Sequence, residues 1–174
     1  MPAEIIKTYK QNLPALRFIG KKYGNMDRVN GNFGKHWDDW FRNGWFGDLE
    51  KLAGKNIKSV YEDGDAYVGL MRDKHGSLFE YWIGIFMPPE TAVPEGFAYI
   101  DFPETTWGVC WVYGKESEVF QNEEKCSLKL EKEGCRLKPD KDGMIWCMER
   151  YGCPRFTTPD KDGKVILDIC IRIE

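Results

Sequence analysis

The stretch WCMERYGCPRF, residues 146–156, decides how this chain is read. Its alternation fits a β-strand running into a turn: Cys147, Glu149 and Tyr151 take one face, and Trp146, Met148 and Arg150 take the other. With both faces covered, Glu149 stands among apolar and aromatic neighbours, where an ionised carboxylate is costly unless something compensates it. The rest of the sequence is therefore read for what supplies that compensation.

Outward from this strand, one order of elements occurs twice. MIWCMERYG and KVILDICIRI read as a closing hairpin. KESEVFQNEEKCSLKLEKEG before them reads as a helix capped by Gly134, and TTWGVCWVYG before that as a strand ending in Tyr-Gly. In the N-terminal half, LPALRFIGKKYG is the matching strand. KHWDDWFRNGWFGDLEKLAG is the matching helix, with Trp37, Trp40, Phe41, Trp45, Leu49 and Leu52 at helical spacing and Gly54 as its cap. Gly44 and Gly47 weaken that helix and split or bend it. AYVGLMRD and SLFEYWIGIFM form the matching hairpin, joined by KHG. The Pro-rich PPETAVPEG separates the halves, and GFAYIDFP and EIIKTYK each add a strand. Two matched halves, about residues 1–90 and 96–174, imply one domain of two similar lobes with a groove between them.

Composition narrows the function. At 174 residues the chain is long enough for one well-packed domain, and its 14% aromatic content with seven Trp points to aromatic surface beyond what a core needs. The net charge of −3 comes from acidic and basic residues mixed along the chain, so no phosphate-binding footprint exists and direct nucleic-acid binding is not expected. No apolar run has the length of a signal peptide or a membrane span, so the expectation is a cytoplasmic protein with no membrane partner. The six cysteines are then expected as free thiols. No CxxC pair exists, His36 and His75 are read as surface residues, and PDKDG at 139–143 and 159–163 is turn chemistry rather than a calcium loop. Neither a metal nor a cofactor is expected. The nucleophile elbow, the Walker loop and the dinucleotide fingerprint are all missing, which removes the common hydrolases and nucleotide enzymes.

What remains is carboxylates and aromatics on strands. Glu149 and Tyr151 share one face, and Glu80 and Trp82 share another inside FEYWIG. Hairpins lining one groove with these groups form an acidic aromatic box, suited to a large, flat, cationic ligand.

The order and spacing of LPALRFIGKKYG, YVGLMRD, FEYWIG, TTWGVCWVYG and above all Glu149-Arg150-Tyr151 followed by Pro154 resemble the GyrI-like small-molecule-binding domain, the effector-binding domain of AraC- and MerR-type multidrug-sensing regulators. The resemblance runs from about Leu13 to Ile173. It implies an α+β fold of duplicated βαββ units forming an antiparallel sheet with a central ligand groove, the helices on the opposite face. It also implies that Glu149 lies at the base of the groove and pairs with cationic, aromatic ligands, and that burial raises its pKa when the site is empty. Candidate aromatic walls are Tyr81, Trp82, Trp107, Trp111, Tyr113 and Tyr151, with core packing the alternative for each.

The repeat begins almost at Met1, so the expectation is the stand-alone form, which binds or sequesters toxic compounds. One subset of that form hydrolyses cyclopropane-containing, DNA-alkylating compounds. In that enzymatic alternative Glu149 is the general base on a water, while Glu80 or Tyr113 is the acid. A third alternative is a protein-interaction module, since relatives bind protein partners such as DNA gyrase.

Overall fold

The computed structural model of the chain describes residues 2–53, 57–74 and 78–174. The fold is α+β. In chain order the elements are β1 (Glu4–Leu13), β2 (Leu16–Tyr23), α1 (Gly34–Arg42), α2 (Trp45–Ala53), α3 (Ile57–Val60), β3 (Tyr67–Lys74), β4 (Leu78–Met87), β5 (Ala98–Phe102), β6 (Thr105–Lys115), α4 (Glu116–Val119), α5 (Glu123–Lys132), β7 (Ile145–Tyr151) and β8 (Lys164–Ile173). The eight strands make one sheet in the order β1-β6-β8-β7-β3-β4-β2-β5, and every neighbouring pair is antiparallel.

Both long predicted helices are divided. The first breaks at Gly44, whose φ of +67° is left-handed, while Gly47 continues inside α2. The second breaks between α4 and α5, where Gln121 takes a φ of +60° and the Asn122 side chain donates to the carbonyls of Glu118, Val119 and Phe120. The expected cap Gly54 and turn residues His75 and Gly76 lie outside the described residues.

Two short connections decide the shape of the sheet. Pro14 and Ala15 join β1 to β2, yet the strand order places five strands between them. Flat strands roughly 4.8 Å apart would separate the two by nearly 30 Å, whereas the Cα atoms of Leu13 and Leu16 can be at most about 11 Å apart. Pro103 and Glu104 impose the same demand on β5 and β6. The sheet must curl.

One face becomes the inside of the curl and is filled by Phe18, Leu70, Trp82, Phe86, Trp107, Met148 and Cys170. Phe102 of β5 touches both Trp107 and Trp146 there, and Tyr61 beyond α3 packs into the same cluster. The other face carries the helices. Trp40, Phe46 and Leu49 cover Ile19, Ile83 and Ile85 on one flank, while Cys126 and Leu130 cover Cys110, Leu167 and Ile169 on the other.

This layout corrects one expectation. The groove and the helices were expected on opposite faces of the sheet. The inside of the curl is packed solid with aromatic core, and the open space lies instead on the helix-bearing face, between the two helical flanks. Among the described residues no helix is long and apolar enough to cross a membrane.

Candidate functional site

The sheet centre is the seam where β7 pairs with β3. Glu149 stands opposite Gly69, Tyr151 opposite Tyr67 and Cys147 opposite Met71, and β4 continues the same row with Tyr81 opposite Met71. These residues face the helices. Above them is a cavity of about 880 Å³, walled on one side by Phe33, Trp37 and Phe41 of the α1 region and on the other by Glu116, Phe120, Glu123 and Phe156. The spacing of Phe33, Trp37 and Phe41 puts all three on one helical face.

The walls are locked together. Trp37 Nε1 donates to the Tyr81 hydroxyl at 2.8 Å, and the Phe33 and Tyr81 rings stack with centroids 4.2 Å apart. Tyr151 meets Trp37 edge-on at 4.9 Å and Phe156 at 4.8 Å. Gly69 makes this arrangement possible: a Cβ there would lie 2.6 Å from the Tyr81 hydroxyl oxygen and 3.3 Å from the Trp37 ring.

The floor is acidic. Glu149 is 8% exposed, and its Oε2 accepts a hydrogen bond from the Tyr151 hydroxyl at 2.5 Å. Glu123, the first residue of α5, lines the same cavity as a second acid neighbouring Glu149. Burial, and then the neighbouring Glu123, push the Glu149 carboxyl up to about 8, against a smaller opposing effect of the Tyr151 hydrogen bond. Burial and the Glu149 charge likewise hold the Tyr81 hydroxyl above its ordinary range. Asp38 and Glu116 add acidic groups to the lining, and Arg28 is the single base among the described residues that line it.

The sequence matches no protein-family profile and no curated protein. Solved structures share its architecture across nearly the whole chain. SAV2435 bound to tetraphenylphosphonium is 16% identical, with a TM-score of 0.66 over 97% of this chain and 94% of that one. The C-terminal domain of EcmrR is 10% identical, with a TM-score of 0.58 over 97% of both chains. A hydrolase from Listeria innocua is 12% identical, with a TM-score of 0.53 over 97% of this chain and 92% of that one. The chain has a GyrI-like fold.

Within this GyrI-like fold the expected site residues separate. Glu149, Tyr151 and Tyr81 come together in the cavity. Glu80 does not: it lies on the other side of the sheet, where its carboxylate takes Arg72, Lys22 and the Trp82 Nε1–H at 3.3 Å each. Trp82 and Trp107 belong to the packing inside the curl. Trp111 also faces away from the cavity, with the Lys7 ammonium 4.4 Å and the Arg155 guanidinium 4.8 Å from its ring centroid. Tyr113 donates to Asp160 near the surface. The cause is register: Glu80 pairs with Arg72, and Arg72 with Trp146, which puts Glu80 on the Trp146 face of β7. His36 is half-buried and packs against Tyr23 with ring centroids 4.4 Å apart.

Trp37, Phe120, Phe156 and Glu123 are among the cavity residues that the sequence did not single out as site candidates. Trp37 reads as a helix residue turned to the core, and Phe120 and Phe156 sit in irregular segments. Glu123 reads as an ordinary acidic residue in the first turn of a helix.

Proposed function

We propose that the protein binds hydrophobic, aromatic, cationic small molecules in the cavity on the helix-bearing face, with Glu149 as the buried counter-charge. One observation carries this reading: a buried carboxyl on the cavity floor faces a second acid rather than a base, inside walls of Phe33, Trp37, Tyr81, Tyr151 and Phe156. Aromatic faces stabilise a cation by about 0.5–2 kcal/mol each, and more when water is excluded. The similarity to SAV2435, a structure containing tetraphenylphosphonium, supports the same ligand class. Sensing or sequestering toxic compounds follows as the biological role, in the cytoplasm.

The test is a titration of intrinsic Trp fluorescence with tetraphenylphosphonium, since Trp37 lines the cavity. Saturable quenching is expected, weakened at least tenfold, about 1.4 kcal/mol, in Glu149→Gln. Equal affinity in the variant would remove Glu149 from the role.

A second reading has its own support. Glu123 and Glu149 are a carboxyl pair in unlike surroundings, with the Tyr151 hydroxyl in contact, and one solved structure of this fold is a hydrolase. In that reading protonated Glu149 is the acid, Glu123 is the base on a water, and the substrate carries a strained electrophilic ring. Acid–base assistance of this kind contributes about 10²–10⁴-fold. Glu80 and Tyr113 have no part in it, because both lie away from the cavity. Ring opening of a cyclopropane-containing alkylating compound, lost in both Glu123→Gln and Glu149→Gln, is the expected result; no product with wild type would dismiss it.

A further inference from the structure

Glu149 is surrounded by groups that do not neutralise it. Glu123 faces it from α5, Tyr151 and Cys147 flank it on β7, and Tyr81 approaches from β4. Asp38 of α1 and Glu116 of α4 stand further along the same lining. Arg28, the one base of the described lining, is engaged at the α1 wall: it donates to Asn25 Oδ1 and to the Gly31 carbonyl, each at 3.1 Å, and lies over the Phe33 and Phe79 rings at 4.7 and 4.9 Å.

Two carboxyl groups neighbouring one another within aromatic walls cannot both be ionised at low cost, because like charge and lost hydration act in the same direction. The more enclosed of the two, Glu149, is the one on which ionisation costs most. Burial, and then the neighbouring Glu123, favour the protonated form of Glu149. The Tyr151 hydroxyl, donating to Oε2, remains compatible with either a neutral or an ionised Glu149.

We propose that ligand uptake here is an exchange, in which one monocationic ligand displaces the proton held on the buried Glu149, so that the site selects ligands by charge and pH sets its occupancy. The inference rests on the cation-binding reading above and adds a stoichiometry to it. No covalent bond changes: the ligand enters with charge +1 and a proton leaves to solvent, so the net charge of the filled cavity equals that of the empty one. A neutral aromatic molecule leaves the proton in place and binds without regard to pH. For a cation the affinity rises about tenfold per pH unit while Glu149 still holds its proton, and levels off once the proton is lost.

Calorimetric titration of the wild-type protein with tetraphenylphosphonium at pH 7, in two buffers of different ionisation enthalpy, measures the protons released. Close to one proton per ligand is expected, with none for neutral triphenylphosphine oxide and about tenfold tighter cation binding at pH 7 than at pH 6. Glu123→Gln keeps the counter-charge at position 149 and removes its like-charged neighbour, so the release at pH 7 should shrink and the pH slope flatten. Binding of the cation with heats independent of buffer, and with equal affinity at pH 6 and pH 8, would overturn the exchange while leaving cation binding intact. No binding of the cation anywhere between pH 6 and pH 9 would overturn both.

Discussion

Glu149 and Arg150 are consecutive on β7, both buried, and they point to opposite faces of the sheet into surroundings of different kinds. Arg150 is fully enclosed, and its donors are all answered: Asp168 at 2.8 and 2.9 Å, Gln11 at 2.7 Å, Tyr61 at 2.8 Å, with Asp63 at 3.4 Å. Arg155 completes the cluster by reaching Asp168 at 2.6 Å and Asp63 at 2.9 Å, so two guanidinium groups meet two carboxylates. Glu149 has one tyrosine hydroxyl and a second acid. The contrast teaches how to read a buried charge: one satisfied by its own chain belongs to the fold, and one left beside a second acid and an open cavity has no such explanation within the chain, which is why the proposed function assigns it to a ligand.

The comparison can be broken most forcefully on the Arg150 side. Replacing Arg150 with Met leaves the fully buried Asp168, and Asp63, with Arg155 as their one remaining guanidinium, and should cost about 3–5 kcal/mol in urea unfolding; a cost under about 1 kcal/mol would mean that the cluster contributes little to the fold.

On the Glu149 side the sign reverses. Between about pH 4.5 and about 8 the folded protein keeps a proton on Glu149 that the unfolded chain has released, so the unfolded state binds fewer protons and stability falls as pH rises across that window. The loss is on the order of a few kcal/mol. Glu149→Gln should abolish this slope and be the more stable protein at pH 8 in the absence of ligand, which denaturant melts at pH 5 and pH 8 will show. Parallel pH dependence in the two proteins would place the proton elsewhere.

Gly69→Ala sharpens the comparison further, because it alters only the cavity face. The added methyl must displace Tyr81 or Trp37, at an expected cost of about 1–3 kcal/mol in stability with weaker quenching by tetraphenylphosphonium; unchanged quenching would detach this wall from the ligand.

The smallest effect belongs to Glu80→Gln. Arg72 keeps its contacts to Asp140 and Asp142 at 2.7 Å each, so stability should shift by less than about 1 kcal/mol. Tetraphenylphosphonium affinity should not move, since Glu80 lies across the sheet from the cavity; a tenfold loss would contradict the register.

The strand pattern was legible because side-chain direction alternates at every residue. WCMERYG alone therefore separates Glu149 and Tyr151 from Met148 and Arg150, as the pairing of β7 with β3 also does. The same rule separates Glu80 from Tyr81 but is silent on which of the two shares a face with Glu149, for that depends on how β4, β3 and β7 slide against one another. Glu80 was therefore grouped with Glu149 when Tyr81 was its true neighbour. Glu123 was invisible for another reason: an acid in the first turn of a helix is ordinary, and only the packing of α5 beside β7 sets it against a second carboxyl.

By itself, the sequence determined the elements and the chemical oddity: alternating strands, two amphipathic helical stretches of which only the first showed its break, and a carboxylate in a strand with no local partner. These follow from contacts within a few residues. The tertiary structure decided which face is the inside. That choice comes from Pro14-Ala15 and Pro103-Glu104 joining strands at opposite ends of the sheet, a closure that curls it, packs one face with aromatic core and leaves the cavity between the helical flanks. A two-residue link is plain in the sequence, but the distance it must span exists only once the strands are ordered.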